Sequence, residues 1–180
     1  QPLVFDARPP PPLVVVTAGI ADSLAASLIS CARSGATVLM VVTDAAAARS
    51  LPRLLECDGM EAQEAEASDY AMLSEIDFRH PIFAPFADRA FGDFTNVRFW
   101  RHRRIKLDGK QCGIRVVARF DDGDPALLEK ESGRGRLLVL SSGWHPRDSQ
   151  LALSTKFVPL IAGIIERDRD AGDDGRFSIN

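Results

Sequence analysis

Three short apolar runs, mostly β-branched, set the frame of this chain: Leu13–Val16 (LVVV), residues 36–43 (ATVLMVVT) and residues 137–140 (LLVL). None alternates apolar with polar side chains. Each therefore reads as a strand covered on both faces, the pattern of a parallel sheet flanked by helices. The intervening segments agree with that reading. Asp22 can cap a helix running to about Arg33, with Leu24, Leu28 and Cys31 on its apolar stripe, and Gly35 can end it in the left-handed conformation. Asp44 can cap a second, Ala-rich helix towards Leu55, in which Pro52 marks a kink or break. Strand, helix, strand, helix predicts an α/β domain.

The 180 residues, 46% of them hydrophobic, suffice for one domain with a core of its own. Residues 1–12 end in four consecutive prolines and read as a stiff extended lead-in, 13–167 as a single domain, and 168–180 as a loose charged tail. The chain opens on Gln without a basic-then-apolar leader, which suggests an excised or processed piece. Cys31, Cys57 and Cys112 form no CxxC pair and are odd in number, so three free thiols are expected, with no disulfide framework. His80, His102 and His145 show no HExxH or HxH spacing, and no metal or cofactor site is predicted. No apolar stretch approaches the ~20 residues that cross a bilayer, so no direct membrane span is expected. The formal charge of −3 argues against a general affinity for nucleic acid.

Between Glu56 and Asp77 stand eight acidic residues and no Lys or Arg; without the spacing of a calcium loop, this reads as a solvated surface segment. Residues 80–94 place four phenylalanines near two prolines, a loop pinned to the core by aromatic anchors. Residues 97–106 (VRFWRHRRIK) read as a strand with Arg98, Trp100, His102, Arg104 and Lys106 on one face. Stacking and phosphate contacts could use such a face, but the acidic segment offers it an internal partner, and a charge-protected edge strand is the preferred reading. Residues 114–120 and 126–131 form the arms of a hairpin around Asp121-Asp122-Gly123-Asp124-Pro125. A turn at Gly133-Arg134-Gly135 follows, and a last helix carries Phe157, Leu160, Ile161, Ile164 and Ile165 on one broad face, its regular part starting near Pro159.

Chemistry concentrates in residues 141–147. His145 stands just past an apolar strand and before Pro146, a turn that resembles the one carrying the catalytic histidine of class I glutamine amidotransferases. That reaction also needs a thiolate on a tight strand-to-helix elbow, and none of the three cysteines occupies one. Ser141 and Ser142 lack a GxSxG elbow, and no GxGxxG or Walker loop occurs. The residues nominated for binding are His145, Trp144 and Arg147 in the turn, and Arg101, Arg103 and Arg104 in the basic strand. No catalytic residue is nominated.

The order of ARFDDGDPALLE, GRGRLLVLSSGW and LALSTKFVPL, together with HPIF, FGDF and VRFWRHRR, resembles the amidotransferase-like domain of bacterial membrane-anchored proteins that carry a von Willebrand A domain and an N-terminal double transmembrane region. The resemblance covers about half the chain. It implies a flavodoxin-like three-layer α/β sandwich of the class I glutamine amidotransferase type, with a mostly parallel sheet plus a β-hairpin. It further implies a soluble domain of an inner-membrane-anchored protein that has lost its nucleophile, needs no cofactor, and works as a non-catalytic interaction or ligand-sensing module. Its partners would be other domains of the same protein or envelope proteins. The alternative is a hydrolase or amidotransferase-type enzyme that uses His145.

Overall fold

A computed structural model describes residues 11–65, 69–88, 91–107 and 112–170. The three apolar runs are neighbouring parallel strands: β1 (Leu13–Val16) pairs with β2 (Thr37–Val41), and β2 pairs with the last strand, β8 (Gly135–Leu140). Their connections are α1 (Asp22–Arg33) and α2 (Ala45–Leu54). The Asp44 carboxylate accepts a hydrogen bond from the Ala47 amide at 2.8 Å and so caps α2 as its sequence position predicts. Asp22, by contrast, lies inside the first turn of α1, whose N-cap is Ala21 and has no side-chain cap.

The rest of the sheet runs the other way, and here the expected fold must be corrected. The order is β1-β2-β8-β7-β6-β4, with β4 (Leu73–Ile76), β6 (Ile114–Phe120) and β7 (Pro125–Ser132) joined to each other and to β8 through antiparallel pairings. Two of the five pairings are parallel and three antiparallel, so this is a mixed sheet and not a mostly parallel, flavodoxin-like one. The reason lies in the connections. A parallel neighbour needs a crossover of roughly a dozen residues or more, whereas β6 and β7 are joined through residues 121–124 and β7 and β8 through 133–134. The second turn is held by close approach to the end of α1. A Cβ at Gly135 would lie 2.2 Å from the Ala36 carbonyl oxygen, and Gly133 takes φ +60° with the Arg33 carbonyl oxygen 2.6 Å from its own hypothetical Cβ.

Both faces of the sheet are covered, and β2 shows how. Val38 and Met40 point into a cluster with Leu28 and Ile29 of α1 and Leu51 and Leu54 of α2. Leu39 and Val41 point into a second cluster with Phe83, Phe94, Phe99 and Phe120, closed by Leu160 and Ile164 of α3 (Phe157–Asp170). Within the aromatic loop, Phe83, Phe86 and Phe94 are buried, and Phe94 meets both of the others edge-to-face at 5.8 and 5.0 Å, while Phe91 is left exposed. Helix α3 extends past residue 167. Most of the proline lead-in (1–10) and residues 171–180 of the expected tail lie outside the described residues.

Two further expectations change. Cys57, just after α2, and Cys112, just before β6, form a disulfide with Cα atoms 5.5 Å apart, which leaves Cys31 as the free, buried thiol. The bonded pair is 55 residues apart and belongs to no local spacing pattern, so a reading by motif passes over it. The basic segment is not one strand. Only β5 (Arg103–Lys106) is regular, and it pairs antiparallel with β3 (Glu61–Glu64), setting Glu64 opposite Arg103 and Glu61 opposite Lys106. Residues 97–102 are irregular, so the alternation slips: Arg101 is exposed and His102 buried, the reverse of an arrangement that alternates from Arg98.

Candidate functional site

The site is built where the carboxyl ends of β2 and β8 meet two crossing segments. Arg103 donates its amide to the Ser141 carbonyl at 2.8 Å, and the Ser142 hydroxyl donates to the Arg101 carbonyl at 2.6 Å. The amides of Trp100 and Arg101 both donate to the Asp148 carbonyl, at 2.8 and 3.1 Å. Asp148 in turn donates its own amide to the His145 carbonyl at 2.7 Å, closing the turn that holds the imidazole. Gly143 leaves room for the Asp148 side chain, since a Cβ at that position would lie 2.2 Å from its carboxylate oxygen. The basic segment and the His-Pro turn, far apart in sequence, thus become one surface at the sheet edge where open α/β folds place ligands.

The six candidate binding residues occupy different environments. His145 and Arg147 are exposed, and the His145 Nδ1 accepts a hydrogen bond from the Arg147 amide at 3.2 Å, so the ring presents Nε2 outward. Arg101 is exposed; its guanidinium holds Glu64 Oε1 at 3.0 Å and lies 3.8 Å from Asp148. Arg103 is a buried strut, donating to the carbonyls of Thr43 and His102 and pairing with Glu64 at 3.1 Å, although its Nε finds no partner among the described residues. Arg104 leans away from this edge to Asp124. Trp144 is half-buried and meets the Phe157 ring edge-on at 5.4 Å, so it docks α3 onto the edge.

The neighbouring hydroxyls are committed to structure. Ser141 donates to the Pro125 carbonyl at 2.7 Å and Ser149 to the Gly143 carbonyl at 2.8 Å, and both are fully buried. Among the described residues none pairs its hydroxyl or thiol with His145, the geometry an activated nucleophile requires. Cys31 lies in α1, and burial pushes its thiol above the ordinary range, away from thiolate character.

A second polar group lies under the opposite face and was not singled out from sequence. His80, Glu129 and Arg136 are all buried. His80 Nε2 is 2.9 Å from one Glu129 oxygen and Arg136 lies 3.2 Å from the other. Arg136 also donates to Thr37 Oγ1 and to the Ile164 carbonyl, at 3.2 and 2.7 Å, and His80 Nδ1 accepts from the Ile82 amide. This network ties the aromatic loop, β2, β7, β8 and α3 together, and its role is structural. The cavity beside it, between the sheet and α3, is wholly apolar and about 20 Å³, room for no more than one water-sized sphere.

No family profile matches the chain, and no curated protein matches it. Solved structures do. The chain resembles the cytoplasmic protein STM3548 from Salmonella typhimurium at 15% identity and a TM-score of 0.63, and the cytoplasmic protein STM1381 from Salmonella typhimurium LT2 at 13% and 0.64. In each case 87% of this chain covers 71% of the other. It also matches part of the cold-adapted β-galactosidase from Rahnella sp. R3, with 12% identity and a TM-score of 0.56 over 84% of this chain but 22% of the enzyme. At these identities the likeness concerns the fold alone. Together with the antiparallel half of the sheet, it overturns the expected assignment to the amidotransferase-like domain of membrane-anchored von Willebrand A proteins, because the neighbours are of other kinds. Among the described residues no helix is long and apolar enough to cross a membrane, and membrane anchoring has no support here.

Proposed function

We propose that this domain is a non-catalytic binding module whose ligand or partner engages the edge formed by Arg101, His145 and Arg147. The supporting observation is the convergence of residues 97–103 and 141–149 on Asp148, which gathers these exposed groups at the carboxyl end of β2 and β8. An imidazole and a guanidinium on a rigid Pro-containing turn suit a carboxylate or phosphate group, presented by a small ligand or by an acidic partner domain. Commitment of the nearby hydroxyls to backbone carbonyls supports binding over turnover. A nucleic-acid groove is disfavoured, since Arg101 and Arg103 already engage Glu64 and few phosphates could be neutralised together.

Trp100 and Trp144 are the two tryptophans of the chain and both belong to this edge, so intrinsic fluorescence reports on it directly. Titration with citrate and with inorganic phosphate should give a saturable emission change in the wild type that Arg147→Ala weakens at least tenfold. A flat response to both anions would contradict the reading. So would hydrolysis of amide or ester substrates that disappears in His145→Ala, or submicromolar oligonucleotide binding at physiological salt.

A further inference from the structure

We propose that His102, Asp122 and Asp124 form a divalent transition-metal site, separate from the sheet-edge surface. The His102 ring is completely buried and lies with its centroid 4.4 Å from that of Phe120, which sets the direction of its Nε2. That nitrogen is 3.1 Å from Oδ2 of Asp122 and 3.1 Å from Oδ2 of Asp124, and all three atoms lie within 4.8 Å of one another. One ring nitrogen offers a single proton or a single lone pair, yet two carboxylate oxygens converge on it. Metal–ligand bonds of about 2.0–2.2 Å place neighbouring ligand atoms roughly 3 to 3.5 Å apart, close to the spacing of Nε2 from each carboxylate oxygen.

Among the described residues the polar groups that this buried ring meets are the two carboxylates, both at Nε2, and its Nδ1 has no hydrogen-bond partner. A single Nε2 proton shared between two carboxylate oxygens serves each poorly, whereas the Nε2 lone pair and both carboxylates can address one ion together. The carboxylates are also held for the purpose. Asp122 spends Oδ1 on the Asp124 amide at 2.9 Å, which fixes the turn between β6 and β7 and leaves Oδ2 directed at the ring. Its side chain is 34% exposed, giving an ion a path in and room for a water as fourth ligand.

Arg104 is the built-in competitor. Its Nε lies 3.0 Å from both oxygens of Asp124, so an ion must share that carboxylate with a guanidinium. One imidazole and two carboxylates suit Zn²⁺ or Mn²⁺ and fall short of the six to eight oxygens that Ca²⁺ takes.

The test uses untagged protein stripped with a chelator, equilibrium dialysis against Zn²⁺ and a thermal melt. Wild type should bind one Zn²⁺ per chain and melt higher with the metal. Asp122→Asn keeps the Oδ1 that caps the turn, so it should fold, bind Zn²⁺ at least tenfold more weakly and lose the metal-dependent shift. Arg104→Gln, which frees Asp124, should bind several-fold more tightly. Absence of stoichiometric Zn²⁺ binding in wild type, equal binding by wild type and Asp122→Asn, or a preference for Ca²⁺ over Zn²⁺ would overturn the proposal.

Discussion

Glu129 is 4% exposed and stands between the buried His80 ring and the buried Arg136 guanidinium. Removing it leaves the Arg136 guanidinium buried without its carboxylate, and breaking a buried pair in this way costs about 3–5 kcal/mol. Glu129→Ala should therefore lower the denaturation midpoint strongly without a change in m-value, measured by urea titration. Surface carboxylates act more gently and through pH. Asp93 is held below its ordinary value of 3.8 first by the Thr95 hydroxyl and then by the Thr95 amide, at 2.6 and 2.9 Å, and Asp77 likewise by the Arg79 amide and by Arg115. With the folded value depressed, the unfolded chain binds more protons on acidification. The stabilisation is complete above 3.8 and is lost as pH falls through the lowered folded value. Asp93→Asn should flatten the acid limb of a Tm-versus-pH curve by lowering Tm in the neutral region, where the ionised carboxylate stabilises, and leaving the acid end little changed.

At the scale of elements, the disulfide joins the end of α2 to the entry of β6 and so staples the helical layer to the antiparallel half of the sheet. Closing a 55-residue separation removes loop entropy from the unfolded chain worth about 4 kcal/mol in the simplest treatment. Cys57→Ser should be destabilised by about 2–4 kcal/mol. A thiol assay should find no fast-reacting group in the native protein, one after denaturation and three after denaturation with reductant; three without reductant would remove the bridge from the account. Elements also differed in how legible they were. β1, β2, β8, α1 and α2 could be read from sequence because apolar run length, an Asp cap and Gly35 are local signals. β3 (EAQE) and β4 (LSEI) could not, since they are short, charged strands at the edges of their sheets and their stability comes from partners, Arg103–Lys106 and Ile114–Phe120, far along the chain.

For the whole molecule, the direction of the sheet was written in its turns more than in its strands. The apolar runs of β2 and β8 carry the parallel signature truthfully, but the tight turns after Phe120 and Ser132 reverse everything on the far side of β8, and neighbouring order follows connection length. The site shows the same division. His145 and Arg147 were visible as an unusual turn after a strand, and Arg101 as part of a basic run, whereas Asp148 as their common anchor required the fold. His102 with Asp122 and Asp124 was hidden for the same reason, a ring and a turn brought together by packing against Phe120. The edge joining residues 97–103 to 141–149 is the proposed binding surface of this domain. Amide chemical-shift mapping by heteronuclear NMR during a citrate titration tests it most directly. Saturable shifts confined to residues 98–103 and 143–149, absent in Arg147→Ala, are predicted. Shifts centred instead on the groove at residues 18–22 and 44–53, which opens beside the carboxyl ends of β1 and β2, or no shifts at all, would contradict it.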